Sequence, residues 1–260
     1  MLETVDAVRY SSEMDGGRNR PWLIEAERAN GETVEIVAKL GKSECGWGGL
    51  VREAFSAMLA ADLGLPVPEP FVVSLTDDFV ATLPRQELKD RCVGQKTCFG
   101  SYFYPNLFSV NPKILPSNLL NTATRTFSFD AGVLNADRLV TKPNCLTDGA
   151  KLLLIDHELS LNVHGLGFLV QQPWTAGALD RMKVAPSKHL FFEQLKATTP
   201  VDTSFYNKLA AIPESRIVEY GMAIPEEWDA DKIADGIRHF LIELVKNAPG
   251  LNEQVKAVCT

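Results

Sequence analysis

The most informative stretch of this sequence is FDAGVLNADRLVTKPNCLTDGAKLLLIDHE, residues 129–158. Asp137 and Asn144 lie in one polar loop, and Asp156 closes the apolar run 151–156. An Asp-Gly pair precedes this run and is a hairpin signal, so the run is interpreted as a buried strand and not as a helix. The stretch therefore predicts a polar loop followed by a short strand that ends at Asp156.

An Asp, an Asn and a second Asp in this order are the side chains that phosphoryl transfer from ATP requires. Asp137 can accept or orient the proton of an attacking hydroxyl, whereas Asn144 and Asp156 offer the hard oxygen ligands that Mg²⁺ prefers. Arg138 is expected either to pair with a substrate or to steady the loop. Each short motif taken alone is also typical of a helix end or a strand end, so the hypothesis depends on the upstream sequence.

Two upstream features favour a nucleotide site. Lys39 ends a predicted strand and Glu53 follows 14 residues later in a predicted helix, which is how kinases present an ammonium group to the α- and β-phosphates. The alternatives are an edge-strand lysine and a solvated helix face. Gly16, Gly17 and Arg18 lie in a turn between two predicted strands, where backbone N–H groups can cover phosphates, although Gly-Gly is also an ordinary hairpin turn.

The pattern of elements predicts an α+β fold in two parts. Residues 1–84 are predicted to form a small antiparallel sheet with one helix, with strands at 7–10, 22–27, 34–40, 71–75 and 79–83 and the helix at 51–63. Residues 85–98 are charged and irregular, which favours a connecting loop. The remainder of 85–260 is mostly helical, with a clear apolar stripe over 233–245 and shorter helices at 187–197, 203–211 and 214–222.

Composition excludes several classes of protein. The 260 residues are 45% hydrophobic with a net charge of −7, which argues against a disordered chain and against sequence-independent binding to nucleic acid. No apolar run approaches the roughly 20 residues of a transmembrane helix, and no signal peptide is evident. The odd count of five cysteines favours reduced thiols and a cytoplasmic protein.

At these residues the chain resembles the HipA-like kinases, in particular their compact branch, and more remotely the phosphatidylinositol 3- and 4-kinases. The resemblance rests on the segments 37–39, 63–70, 99–101, 129–144, 155–158 and 224–228, together with Glu53. It implies a bilobal protein-kinase-like fold with ATP in the cleft between the lobes. By matching position it implies that Lys39 contacts phosphates and pairs with Glu53, that Asp137 is catalytic, and that Asn144 and Asp156 bind Mg²⁺.

Two departures from the protein-kinase pattern leave the function open. Asn144 follows Asp137 by seven positions where protein kinases have five, and no Phe-Gly follows Asp156. The favoured function is a Ser/Thr protein kinase, toxin-like or self-phosphorylating, whose partner is an unidentified acceptor protein or an antitoxin. The alternatives are a nucleotide-binding pseudokinase that regulates a partner and a small-molecule or lipid kinase. Direct binding to nucleic acid or to a membrane is not expected.

Overall fold

A computed structural model describes residues 2–14, 19–163, 171–197, 202–229 and 232–259. Its first part is a five-stranded sheet with strands β1 Glu3–Glu13, β2 Trp22–Glu27, β3 Thr33–Lys39, β4 Pro70–Ser74 and β5 Thr97–Tyr102. The strand order is β1-β2-β3-β5-β4, and the sheet closes through parallel pairing of β1 with β4. The other pairs are antiparallel, as predicted for this region.

The β2–β3 hairpin follows from the alternating sequence pattern. Every second residue is buried, from Trp22 in β2 to Ala38 in β3. The turn needs a left-handed residue, and Gly31 supplies it with φ +83° while the Asn30 side chain accepts a bond from the N–H of Glu32. This hairpin fixes the register that brings Lys39 to the end of β3.

Helix α1, Gly46–Asp62, joins β3 to β4 and begins five residues before the predicted start at residue 51. It ends at Asp62, one residue before the predicted end at residue 63. Gly64 adopts φ +69° and the N–H of Leu65 bonds back to the carbonyl of Ala60, which satisfies the last turn. Because the helix starts early, Glu53 lies in its second turn and not in its first. The Glu53 side chain is buried.

Two predictions in the first part of the chain were wrong. Residues 79–83, predicted as a strand, lie mainly in helix α2 Asp77–Thr82 because Thr76 accepts from the N–H of Phe79 and two aspartates occupy the first turn. Residues 85–98, predicted as a loop, contain helix α3 Gln86–Cys92 and the start of β5.

Strand β5 was missed because its centre is Gly100, a residue that is depleted in strands. A Cβ at this position would lie 2.6 Å from the Val73 side chain and 2.7 Å from that of Ile36. Glycine is therefore required where β5 passes between its two neighbours, and the need arises from tertiary packing that the local sequence does not report.

The second part of the chain is mostly helical, as predicted. Strand β6 Phe108–Ser109 comes first and helix α4 Leu120–Gly132 follows it. Strand β6 pairs with β7 Cys145–Thr147 in a small sheet, and β7 forms the predicted hairpin with β8 Leu152–Leu154. The helices that follow are α5 Phe192–Ala197, α6 Ser204–Ala210, α7 Glu214–Met222, α8 Ile233–Lys246 and α9 Ala248–Cys259. The fold is thus mixed α+β.

Among the described residues, the buried apolar side chains form two clusters. One fills the interior of the five-stranded sheet around Trp22 and Phe71, and the larger one joins α1 to the helices of the second part. Trp228 also ties the two parts, since its indole N–H donates to the Thr97 hydroxyl at 2.9 Å. Among the residues described, no helix is both long and apolar enough to cross a membrane.

Candidate active site

A cleft of about 790 Å³ receives side chains from the five-stranded sheet, from α1 and from the β7–β8 hairpin with its flanking loops. Lys39, Glu53, Asp137, Asn144 and Asp156 all line it. Its size is within the range of sites for drug-sized ligands. The five predicted residues that the structure describes are therefore brought together, although they span 117 positions of sequence.

Lys39 is the centre of the first group of charges. Its Nζ lies 2.9 Å from Glu53 Oε2, 2.7 Å from Asp156 Oδ1 and 3.2 Å from Glu158 Oε2. Burial lowers the pKa of Lys39, but the charges of the three carboxylates outweigh it and raise the pKa well above its usual range. Lys39 therefore stays charged in a site where only 13% of its side chain is exposed.

Glu53 connects this lysine to the strand that carries Asp156. Its Oε2 also accepts the backbone N–H of His157 at 2.9 Å. Burial raises the pKa of Glu53, yet the charge of Lys39 and the bond from His157 hold the pKa below its ordinary value. The predicted Lys39–Glu53 pair is thus present and is anchored to the residue after Asp156.

Glu158 completes the group, and sequence reasoning gave it no role. Its carboxylate accepts from the Asn19 amide and from the Cys45 thiol, and Arg52 Nε donates to its backbone carbonyl at 2.7 Å. The sequence gives one signal for Glu158, which is its position two residues after Asp156. In an extended segment, residues two positions apart point to the same side.

Among the described residues, Glu53, Asp156 and Glu158 place carboxylate oxygens within 4.8 Å of one another, the arrangement of a cation site. The ammonium of Lys39 already bonds to all three. The three carboxylates therefore share one ammonium group, and Oδ2 is the oxygen of Asp156 that Lys39 does not contact.

A second group of charges surrounds Asp137. Lys142 Nζ lies 2.5 Å from Asp137 Oδ2 and 3.4 Å from Asp156 Oδ2, and Asn144 Nδ2 donates to Asp137 Oδ2 at 3.0 Å. The two extra residues of this loop form a tight turn in which Leu139 and Lys142 exchange backbone hydrogen bonds. Because the turn absorbs the added length, Asn144 still reaches Asp137 despite the seven-residue spacing.

Asn144 and Asp156 share an uncommon backbone conformation. Their φ angles are +44° and +61°, in the left-handed region that few residues other than Gly, Asn and Asp adopt. The N–H of Ile155 bonds to the carbonyl of Asn144 at 3.1 Å, just beyond the β7–β8 pairing. The hairpin therefore sets the two residues side by side, with strain of the kind that clusters at functional sites.

Arg138 steadies the loop, which decides between its two predicted roles. The side chain is fully buried, its Nε lies 2.6 Å from Asp130 Oδ2, and its guanidinium also donates to the backbone carbonyls of Asn144 and Ile155. One buried cation thus fixes both segments that carry Asn144 and Asp156.

Asp130 is the anion of this buried group. It also lies 2.8 Å from His189 Nε2, and the Asn135 amide donates to it at 2.9 Å. Burial raises the pKa of Asp130, but the charge of Arg138 and the hydrogen bond from His189 together outweigh burial and hold the pKa well below its usual value. Burial lowers the pKa of His189, whose Nδ1 accepts the N–H of Phe191, so the ring is neutral. Sequence reasoning did not single out either Asp130 or His189.

Gly16, Gly17 and Arg18, predicted to cover phosphates, lie outside the described residues. Their described neighbours Met14 and Asn19 both line the cleft.

Comparison with solved structures identifies the class of fold. The crystal structure of the Helicobacter pylori proinflammatory kinase CtkA matches with a TM-score of 0.56 over 98% of each chain, at 11% sequence identity. At this low identity the likeness concerns the fold alone, and the chain has a kinase-type fold.

Comparison with protein families then gives the family. The sequence model described as HipA-like kinase matches residues 8–165, more than half of the chain. The chain belongs to the HipA-like kinase family, which confirms the resemblance noted in its sequence. No match was found among curated proteins. Kinases in general transfer a phosphoryl group from ATP with the help of a divalent metal.

Proposed function

We propose that this chain is a bilobal, ATP- and Mg²⁺-dependent kinase that phosphorylates Ser or Thr hydroxyls of a protein. The observation that carries the proposal is the convergence of Lys39, Glu53, Asp137, Asn144 and Asp156 on one cleft. These residues supply the cation, the carboxylates and the amide that phosphoryl transfer uses, in the order along the chain that kinases share.

The residues of the cleft fit a nucleotide and a divalent metal. Asp156 and Asn144 are the proposed metal ligands, and both are held in left-handed conformations by the hairpin and by Arg138. A bound Mg²⁺ supplies charge neutralisation for the phosphates. Lys39, kept charged and fixed by Glu53, is the proposed contact for the α- and β-phosphates.

Asp137 is the proposed catalytic residue. In the described arrangement its backbone N–H bonds to the Asn135 side chain at 3.0 Å and its carboxylate faces the cleft between Lys142 and Asn144. A carboxylate held in this way can accept the proton of an attacking hydroxyl, provided that the acceptor reaches hydrogen-bond distance. Gly16, Gly17 and Arg18 are proposed to cover the phosphates.

In the proposed bilobal arrangement, the first lobe is the five-stranded sheet with α1, and the second lobe is the mostly helical remainder of the chain. Strand β5 pairs with β3 and β4, so we place the end of the first lobe after Tyr102 and not at residue 84. The lining residues Val37, Ala57 and Phe99 give the sheet side of the cleft apolar surface for the adenine ring.

The test is transfer of label from γ-labelled ATP by the wild-type chain and by Asp137→Asn. Asp148→Asn is a matched control, because it is the same substitution at an exposed residue in the turn of the β7–β8 hairpin, where Asn can keep the turn hydrogen bonds. We expect Asp137→Asn to lower transfer by about 10²–10³-fold, the range found for removing one preorganised catalytic group, and Asp148→Asn to leave it unchanged.

Transfer that does not depend on Asp137 would contradict the catalytic assignment. Thermal stabilisation by ATP and Mg²⁺ without turnover in the wild type would instead support a nucleotide-binding pseudokinase.

A further inference from the structure

Both carboxylate oxygens of Asp156 are in contact with a lysine. Oδ1 lies 2.7 Å from Lys39 Nζ and Oδ2 lies 3.4 Å from Lys142 Nζ. A divalent metal ion that binds Asp156 therefore meets the positive charge of an ammonium group at either oxygen, and that charge opposes its binding.

Lys39 is the harder of the two to displace. Only 13% of its side chain is exposed, and it also neutralises Glu53 and Glu158, which are themselves buried. Moving Lys39 would leave those carboxylates without a counter-ion in a desolvated site, which is strongly unfavourable.

Lys142 is the easier one to displace. Its side chain is 44% exposed, so the ammonium can move into water at little cost. Its backbone is held by the paired hydrogen bonds with Leu139, so the side chain can swing away while the loop keeps its shape. Within the part of the chain that is described, Asp137 and Asp156 are the carboxylates that its ammonium contacts.

We propose that Lys142 is the built-in counter-ion of the metal site, which Mg²⁺ must replace on Asp156. This inference rests on the proposed function in one respect, since it takes Asp156 as a metal ligand. The position of Lys142 then sets the concentration of divalent metal that the site requires. Without metal, the Lys142 ammonium offsets the repulsion between Asp137 and Asp156. When metal binds, the Lys142 ammonium leaves Asp156.

The experiment measures binding of Mn²⁺, a spectroscopic substitute for Mg²⁺, from the electron paramagnetic resonance signal of the free ion. Titrations are run with Mn²⁺ alone and again with a saturating non-hydrolysable ATP analogue. Because a like charge within a few ångströms opposes a divalent ion, we expect Lys142→Met to lower the Mn²⁺ midpoint by about three- to tenfold. Lys142→Arg keeps the charge and is expected to stay near the wild-type midpoint.

Lys246→Met is the matched control, because it removes a lysine from an exposed carboxylate pair, Lys246–Glu243, on α8 and outside the cleft. An unchanged or raised midpoint in Lys142→Met would overturn the proposal, and so would the absence of Mn²⁺ binding in both titrations. If Lys142→Met shifts the midpoint while the wild type transfers no phosphoryl group, only the proposed kinase activity fails.

Discussion

Two lysines approach the same aspartate from opposite sides, and they differ in almost every other respect. Lys39 ends a strand, is nearly buried and contacts three carboxylates, whereas Lys142 lies in a loop, is half exposed and contacts two. Asp156 is the residue that they share.

The difference separates a fixed charge from a removable one. An ion pair taken out of water is costly to break because the partner left behind is desolvated, whereas an exposed pair is readily replaced by water or by another ion. The Lys39 group therefore acts as a permanent part of the fold, and the Lys142 group as a part of the site that can rearrange.

The largest loss of activity is expected from substitution of Asp156, because this residue contacts both Lys39 and Lys142. Asp156→Asn removes the charge that Lys39 and Lys142 share and a proposed metal ligand, so we expect phosphoryl transfer to fall by about 10²–10³-fold or more. The measurement is label transfer from ATP at saturating Mg²⁺. Transfer within a few-fold of wild type would remove Asp156 from the mechanism.

Lys39→Met tests the fixed charge alone. Removing the cation leaves buried carboxylates unpaired, so we expect the free energy of unfolding to fall by about 3–5 kcal/mol. Urea denaturation followed by circular dichroism measures this loss. A loss below about 1 kcal/mol, the value typical of exposed pairs, would mean that the Lys39 group is not desolvated and is as easily displaced as the Lys142 group.

The fixed part of the site could be predicted from sequence because its signals are local. Lys39 ends an alternating run and Glu53 lies on a helix whose C-terminal glycine is evident, so their pairing follows from two elements that adjoin in the chain. Asp137, Asn144 and Asp156 are similarly grouped by one loop and one hairpin.

The rest of the site depends on contacts between distant segments. Glu158 owes its position to Asn19, Cys45 and Arg52, which no pattern around residue 158 reveals. Likewise, the loop from Asp137 to Asn144 is longer than the protein-kinase pattern predicts. Only the turn between Leu139 and Lys142 shows that it delivers a lysine to the two aspartates.

Low pH is expected to weaken the ion pairs around Lys39 less than the substitution Lys39→Met does. The pKa of Glu53 is lowered in the folded chain, so its contribution to stability is present above the ordinary glutamate value of about 4.3 and is lost as the pH falls below it. We expect the free energy of unfolding to fall more steeply below about pH 4.5 in the wild type than in Glu53→Gln, measured by urea denaturation at a series of pH values. Parallel pH profiles for the two proteins would contradict this assignment. The buried Asp130, whose pKa is also lowered, contributes equally to both and serves as the common background.

The smallest effect on stability is expected at Lys142. Its ammonium is screened by water, so Lys142→Met should change the free energy of unfolding by less than about 1 kcal/mol, in contrast to Lys39→Met. The same denaturation experiment measures both variants, and Lys246→Met gives the scale for an ordinary surface pair. A loss at Lys142 as large as that at Lys39 would show that both lysines are structural, and the loop could not then release Asp156 to a metal. A removable counter-ion predicts that Lys142→Met lowers the free energy of unfolding only slightly and tightens Mn²⁺ binding. A structural lysine would instead lower the free energy of unfolding strongly when it is removed. Loss of a phosphate-binding lysine would weaken metal binding in the presence of the nucleotide.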